Sequence, residues 1–193
     1  MERGKSWSFA PRQVTSPVVR GQGDRNRSKD EPMSENASGP LSPTEYHKRL
    51  LEKVGDWKVA CKYFMNPADD PVEATGTDRV EAIGEYWTTG IFHCEVMGNP
   101  IRGLATTGFD PNKDKFVGTW QDSSNPFFYY FEGELDEKGV LTMTGENVDP
   151  MSGAMVNYRS VEKLGKDERT LELYIEYSKD KIIKILEYEY TRA

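Results

Sequence analysis

Gly108-Phe109-Asp110-Pro111-Asn112-Lys113-Asp114-Lys115-Phe116-Val117-Gly118-Thr119-Trp120-Gln121-Asp122-Ser123 reads as strand, turn, strand. Phe109 ends one β-rich run. Asp110-Pro111-Asn112 supplies the fixed φ and the side-chain-to-backbone hydrogen bonds of a tight turn. Phe116, Gly118, Trp120 and Asp122 then recur at period two along the return strand, as on one face of a pleated strand.

The same unit repeats on both sides. From Gly55 onward, short β-rich runs recur, each closed by Gly, Pro, Asn or Asp. Strands are expected near 57–65, 72–82, 86–96, 101–109, 115–122, 127–135, 140–148, 154–163, 170–178 and 181–191. No connection is long enough to hold a crossover helix, so each strand pairs antiparallel with the next. About ten meandering strands would leave two exposed edges unless the sheet closes. The expected fold is an all-β, antiparallel up-and-down barrel, wide enough for a cavity.

Alternation assigns faces. Leu171, Leu173, Ile175 and Tyr177 share one side, with Glu172, Tyr174 and Glu176 opposite. Trp57, Val59, Cys61, Tyr63 and Met65 share another. The last strand stays open: Ile183, Ile185 and Glu187 alternate with Lys184, Leu186, Tyr188 and Tyr190, so parity brings either Glu187 or Lys184 inward.

Ahead of the strands, residues 41–55 predict one helix capped by Ser42, with Pro43 at its first position and Glu45 completing a capping box. Tyr46, Leu50 and Val54 form its apolar stripe, and Gly55 ends it. One stripe on a lone helix implies a plug on the barrel. Residues 1–40 are basic, rich in Ser, Gly and Pro and without apolar periodicity, so a disordered tail is expected before a single barrel domain at 41–193. Met33 is an alternative start, which leaves translation of residues 1–32 as a hypothesis.

Composition bounds the partners. Hydrophobic residues are 36% and aromatics 11% of the 193, with a formal net charge of -7. An acidic chain lacks the basic surface that nucleic acids and anionic membranes require. Apolar runs fall well short of the ~18 residues of a membrane span, and no secretory core follows the N-terminal basic residues. A cytoplasmic location is expected. Cys61 and Cys94 are read as buried free thiols rather than a disulfide framework.

Gly55-Asp56-Trp57, Gly98-Asn99-Pro100, Thr107-Gly108-Phe109-Asp110, Thr119-Trp120-Gln121-Asp122-Ser123, Thr144-Gly145-Glu146 and Glu187-Tyr188-Glu189-Tyr190 together resemble a bacterial family known as a domain of unknown function, family fifteen-seventy-nine. The resemblance spans residues 41–192. It implies a lipocalin-like barrel and no particular reaction. Glu85-Tyr86-Trp87 departs from the family pattern, which tends to carry a second glycine and a basic residue there.

The candidate ligand-binding residues are Trp87, His93, Trp120, Asp122, Tyr129 and Arg159. Trp87, Trp120 and Tyr129 are the expected apolar walls. Asp122 is the expected polar anchor, or else a cap for the turn after it. Arg159 is the candidate buried cation for a ligand carboxylate. His93 is a candidate axial haem ligand, as in the ten-stranded nitrobindin-type barrels. No hydrolase, phosphate-loop, dinucleotide or zinc spacing is present. The first reading is a non-catalytic barrel for a small apolar or carboxylate-bearing ligand, with no cofactor. The alternatives are a haem protein or small-molecule enzyme using His93 or Trp120 with Asp122, and a packed structural barrel. Outward tyrosines such as Tyr174 suggest a homodimer.

Overall fold

The computed structural model describes residues 42–193; the tail expected at 1–40, and the start at Met33, lie outside the described residues. Helix α1 (Glu45–Leu51) precedes ten strands: β1 (Gly55–Tyr63), β2 (Val72–Ile83), β3 (Trp87–Val96), β4 (Asn99–Asp110), β5 (Lys115–Asp122), β6 (Tyr129–Leu135), β7 (Val140–Val148), β8 (Met155–Lys163), β9 (Glu168–Ser178) and β10 (Lys181–Arg192). Each pairs antiparallel with its neighbour in sequence, and β1 pairs with β10 to close the barrel.

The opening hairpin forms as strand, turn and strand, as expected. Phe109 faces Phe116 across β4 and β5, and Ala105 faces Trp120. The Asp110 side chain accepts from the Asn112 backbone N–H (2.9 Å), fixing the turn. Gly103 is required by Trp120: a Cβ on it would stand 2.1 Å from the indole Cη2.

Antiparallel order places the loops after β2, β4, β6 and β8 at one rim. Helix α1 closes that rim. Leu50 is fully buried against a cluster containing Phe109, Phe116, Leu141 and Leu164, and Tyr46 packs on the Phe109 ring at 4.5 Å. The cap differs from the one expected at Ser42 and Glu45. Thr44 is the N-cap and its backbone N–H donates to His47 Nδ1 (3.0 Å). A backbone nitrogen can only donate, so Nδ1 accepts and Nε2 carries the proton, which it gives to the Phe109 carbonyl (3.1 Å). His47 thus ties the helix start to the hairpin, which a glutamate at position 45, exposed on the first turn, cannot do.

The C-terminus secures the other end of the helix. Arg192 donates to the Val54 carbonyl (2.7 Å) and the Glu52 carbonyl (2.6 Å). Its guanidinium lies 3.9 Å from the Trp57 ring centre. The α1–β1 junction and the end of β10 are thereby joined where β1 meets β10.

A bulge resolves the last strand. Register shifts between Lys184 and Leu186, so Ile185 and Leu186 both line the interior. Lys184 and Glu187 both stay outside, paired at 2.5 Å. Strict parity had to bury one of them; one extra residue removes the choice.

Candidate ligand cavity

Inward-facing residues of the ten strands enclose a cavity of about 320 Å³. Two buried clusters form its walls. One is built on Phe116, Phe131, Leu141 and Tyr158, the other on Trp57, Val59, Phe92 and Tyr188; Trp120 packs against both. Glycine and small residues keep the centre open: Gly90, Ala105 and Gly118 line it.

Trp120, Asp122 and Tyr129 lie on this wall. The Trp120 indole N–H donates to Asp122 Oδ2 at 2.8 Å. Asp122 Oδ1 accepts from the Ser124 backbone (2.8 Å) and from the Asn125 amide (3.4 Å). The carboxylate therefore fixes the indole and caps the β5–β6 loop together. The Tyr129 hydroxyl donates to Asn125 Oδ1 (3.4 Å). These three form one network near the rim opposite α1. The loops of that rim expose Met65, Met97, Phe128 and Met151.

Trp87, His93 and Arg159 face outward. Trp87 lies over Gly108, where a Cβ would stand 2.2 Å from its ring. His93 alternates with Phe92 and Cys94, which are buried, and is itself exposed; it pairs across the sheet with Arg102. An axial haem ligand inside the barrel requires the opposite face, and His47 is committed to Thr44 and Phe109. Neither histidine presents a nitrogen to the cavity. Arg159 pairs with Glu176 (2.6 Å) on the outer surface and covers the Tyr174 ring at 4.4 Å, so Tyr174 is no bare patch either. In each case period two was read correctly and the inward parity was assigned to the wrong set.

A buried cation does line the cavity: Arg169, with 6% exposure. It begins the inward row of Leu171, Leu173 and Ile175 on β9. Nη1 donates to Glu162 Oε1 (2.8 Å) and Nη2 to Asp78. Its guanidinium lies 3.7 Å from the Tyr190 ring centre and 4.9 Å from that of Trp57. Lys53 completes a quartet, its Nζ 3.6 Å from Glu162 Oε2. All four side chains line the α1 end of the cavity. Burial lowers Lys53 below the ordinary lysine range. Burial alone would raise Glu162, but the charges of Lys53 and Arg169 outweigh it and hold the carboxyl below its usual range. The sequence carried a sign of this group: Asp78, Glu162 and Arg169 each share parity with an apolar inward row.

Cys61 and Cys94 are buried free thiols. Burial, with Cys94 as neighbour, pushes the Cys61 thiol up to about 12. The Tyr63 hydroxyl lies 3.3 Å from Cys94 Sγ and 2.7 Å from the Tyr188 hydroxyl.

These features define a closed ten-stranded meander barrel with a hollow interior, an apolar wall and one buried ionic cluster. The chain belongs to the family described as "Protein of unknown function (DUF1579)", whose model matches residues 42–192. Among solved structures, it is similar to Rv2717c from M. tuberculosis at 12% identity and a TM-score of 0.61, covering 79% of this chain and 99% of that one; the likeness is one of fold. It also matches a redesigned β-barrel, mFAP1, bound to DFHBI, at 12% identity and a TM-score of 0.40, over 77% of this chain and 100% of that one. A comparison with curated proteins finds no match. Among the described residues no helix is long and apolar enough to cross a membrane.

Proposed function

We propose that this protein is a non-catalytic, lipocalin-like barrel that binds a small, partly apolar ligand in its interior. The cavity of about 320 Å³ carries the reading. It lies at the lower end of the ~300–1,000 Å³ range of small-molecule sites. Left dry, a void of this size would cost on the order of several kcal/mol by the scaling of cavity energy with volume. Its aromatic and aliphatic walls offer water few partners. A bound apolar molecule offsets that cost, and the quartet and the Trp120–Asp122 network give it two polar ends to orient against.

Titration with an environment-sensitive apolar dye tests the reading. Wild type is expected to bind it saturably, one to one. Ala105→Phe, which fills the centre from β4, is expected to fold normally by circular dichroism and to lose the binding. Dye binding equal in both proteins would place the site elsewhere, and no binding in either would favour a packed structural barrel.

A further inference from the structure

Taking the cavity as a ligand site, the quartet at its α1 end selects the head group. Two cations, Lys53 and Arg169, face two anions, Asp78 and Glu162, so the buried cluster is neutral as it stands. Arg169 is already neutralised: Nη1 and Nη2 each donate to a carboxylate, and its unpartnered Nε is buried beside the Tyr190 ring. Thr88 and Ser160, on the same wall, donate to the carbonyls of Thr107 (3.4 Å) and Met143 (3.5 Å). Asp122 lies toward the opposite rim and is filled by Trp120 and its own loop.

Lys53 is different. Its side chain is 9% exposed, and its nearest carboxylate oxygen stands at 3.6 Å, beyond hydrogen-bond reach. An ammonium carries three donors; Glu162 is its charge partner, and leaving the remaining donors without acceptors in a buried site is costly. The group lines the cavity, so the acceptor it lacks is one a ligand can bring.

We propose that the α1 end of the cavity takes an uncharged oxygen head group, an alcohol or a ketone, which accepts a hydrogen bond from Lys53, and that it selects against a carboxylate. A carboxylate would add a net negative charge to a neutral cluster in a water-poor site and would face Asp78 and Glu162 directly. A neutral oxygen satisfies the ammonium and leaves the charge balance unchanged. This departs from the carboxylate-bearing ligand expected on the strength of Arg159, which points out of the barrel.

The test is a panel of equal, roughly ten-carbon chains sized to the cavity: a hydrocarbon, a primary alcohol, a methyl ketone and a carboxylic acid, titrated into the full chain at neutral pH by calorimetry and tryptophan fluorescence. Alcohol and ketone are expected to bind at least about tenfold more tightly than the acid, the scale of one hydrogen bond from a charged donor. Lys53→Met is expected to bring alcohol and ketone down to the hydrocarbon's affinity. Glu162→Gln, which leaves the cluster with a net positive charge, is expected to shift preference toward the acid. An acid that binds wild type as well as or better than the alcohol overturns the head-group assignment and leaves the cavity as a ligand site. If none of the four binds, hydrocarbon included, the ligand-site reading falls and the assignment with it. The wild-type panel decides even if a variant does not fold.

Discussion

Arg169→Met isolates the energetics of the quartet. The substitution keeps the length and apolar stem of the side chain and removes its charge and five donors. Glu162 keeps only Lys53, at 3.6 Å, and Asp78 loses its buried partner. Both carboxylates are largely withdrawn from solvent, with side-chain exposures of 8% and 11%. Breaking a buried pair by removing one member costs about 3–5 kcal/mol, because the remaining charge is uncompensated. Loss of the guanidinium from the Trp57 and Tyr190 rings adds about 0.5–2 kcal/mol. Against a typical domain stability of ~5–15 kcal/mol, that is a large share. At roughly 2–4 °C per kcal/mol for a domain of this size, the melting temperature falls by about 7–28 °C. The assay is urea unfolding followed by tryptophan fluorescence, with Trp57 reporting at the site itself. A matched variant replaces Lys53, Asp78, Glu162 and Arg169 all with apolar residues of similar volume; it is expected to recover most of the loss, since well-packed apolar groups often equal or exceed a buried ionic cluster. A loss below about 1 kcal/mol for Arg169→Met would refute the reasoning, because that is the range of exposed ion pairs.

Gly103→Ala puts a methyl 2.1 Å from the Trp120 indole, so the ring must swing away from Asp122; a cost of about 1–3 kcal/mol and an altered Trp120 emission are expected in the same experiment. His93→Ala, on the exposed outer face, is expected to change stability by no more than about 0.5 kcal/mol and to leave dye binding unaltered, measured side by side with wild type. Acid unfolding carries a signature of Glu162. Its folded pKa lies below the unfolded value of about 4.3, so its contribution is complete above that pH and is lost as pH falls through the folded value. Glu162→Gln should flatten the stability profile below about pH 4.3, seen as a smaller drop in urea midpoint between pH 5 and 3.

Much of the fold was written at period two. The turn residues and alternation placed ten strands, each end within a few residues of where it lies, and the absence of room for crossovers dictated the antiparallel meander. Two features were not legible for stated reasons. The helix cap runs through His47 to Phe109, a contact 62 residues away in sequence, whereas a local capping pattern sees only neighbours. The bulge at Ile185 depends on how β10 meets β9, and parity alone has no means to insert a residue. The site was legible by face and less so by sign. Alternation shows which residues share a side but leaves which side is inward to the surrounding apolar content. On β3 the inward row is Thr88, Gly90, Phe92 and Cys94, less conspicuous than Trp87, Thr89, Ile91 and His93. Arg159 drew attention as a lone cation mid-strand. Arg169 sat at a strand start, one residue before the expected boundary, and its partners lay on strands far apart in sequence.

Native mass spectrometry tests the central claim most directly. Wild type, gently purified and incubated with an excess of the apolar probe, and Ala105→Phe treated identically, are weighed intact. The account predicts a wild-type mass that exceeds the chain by one small molecule, released on unfolding, beside a bare Ala105→Phe. Wild type and Ala105→Phe equally bare would contradict it.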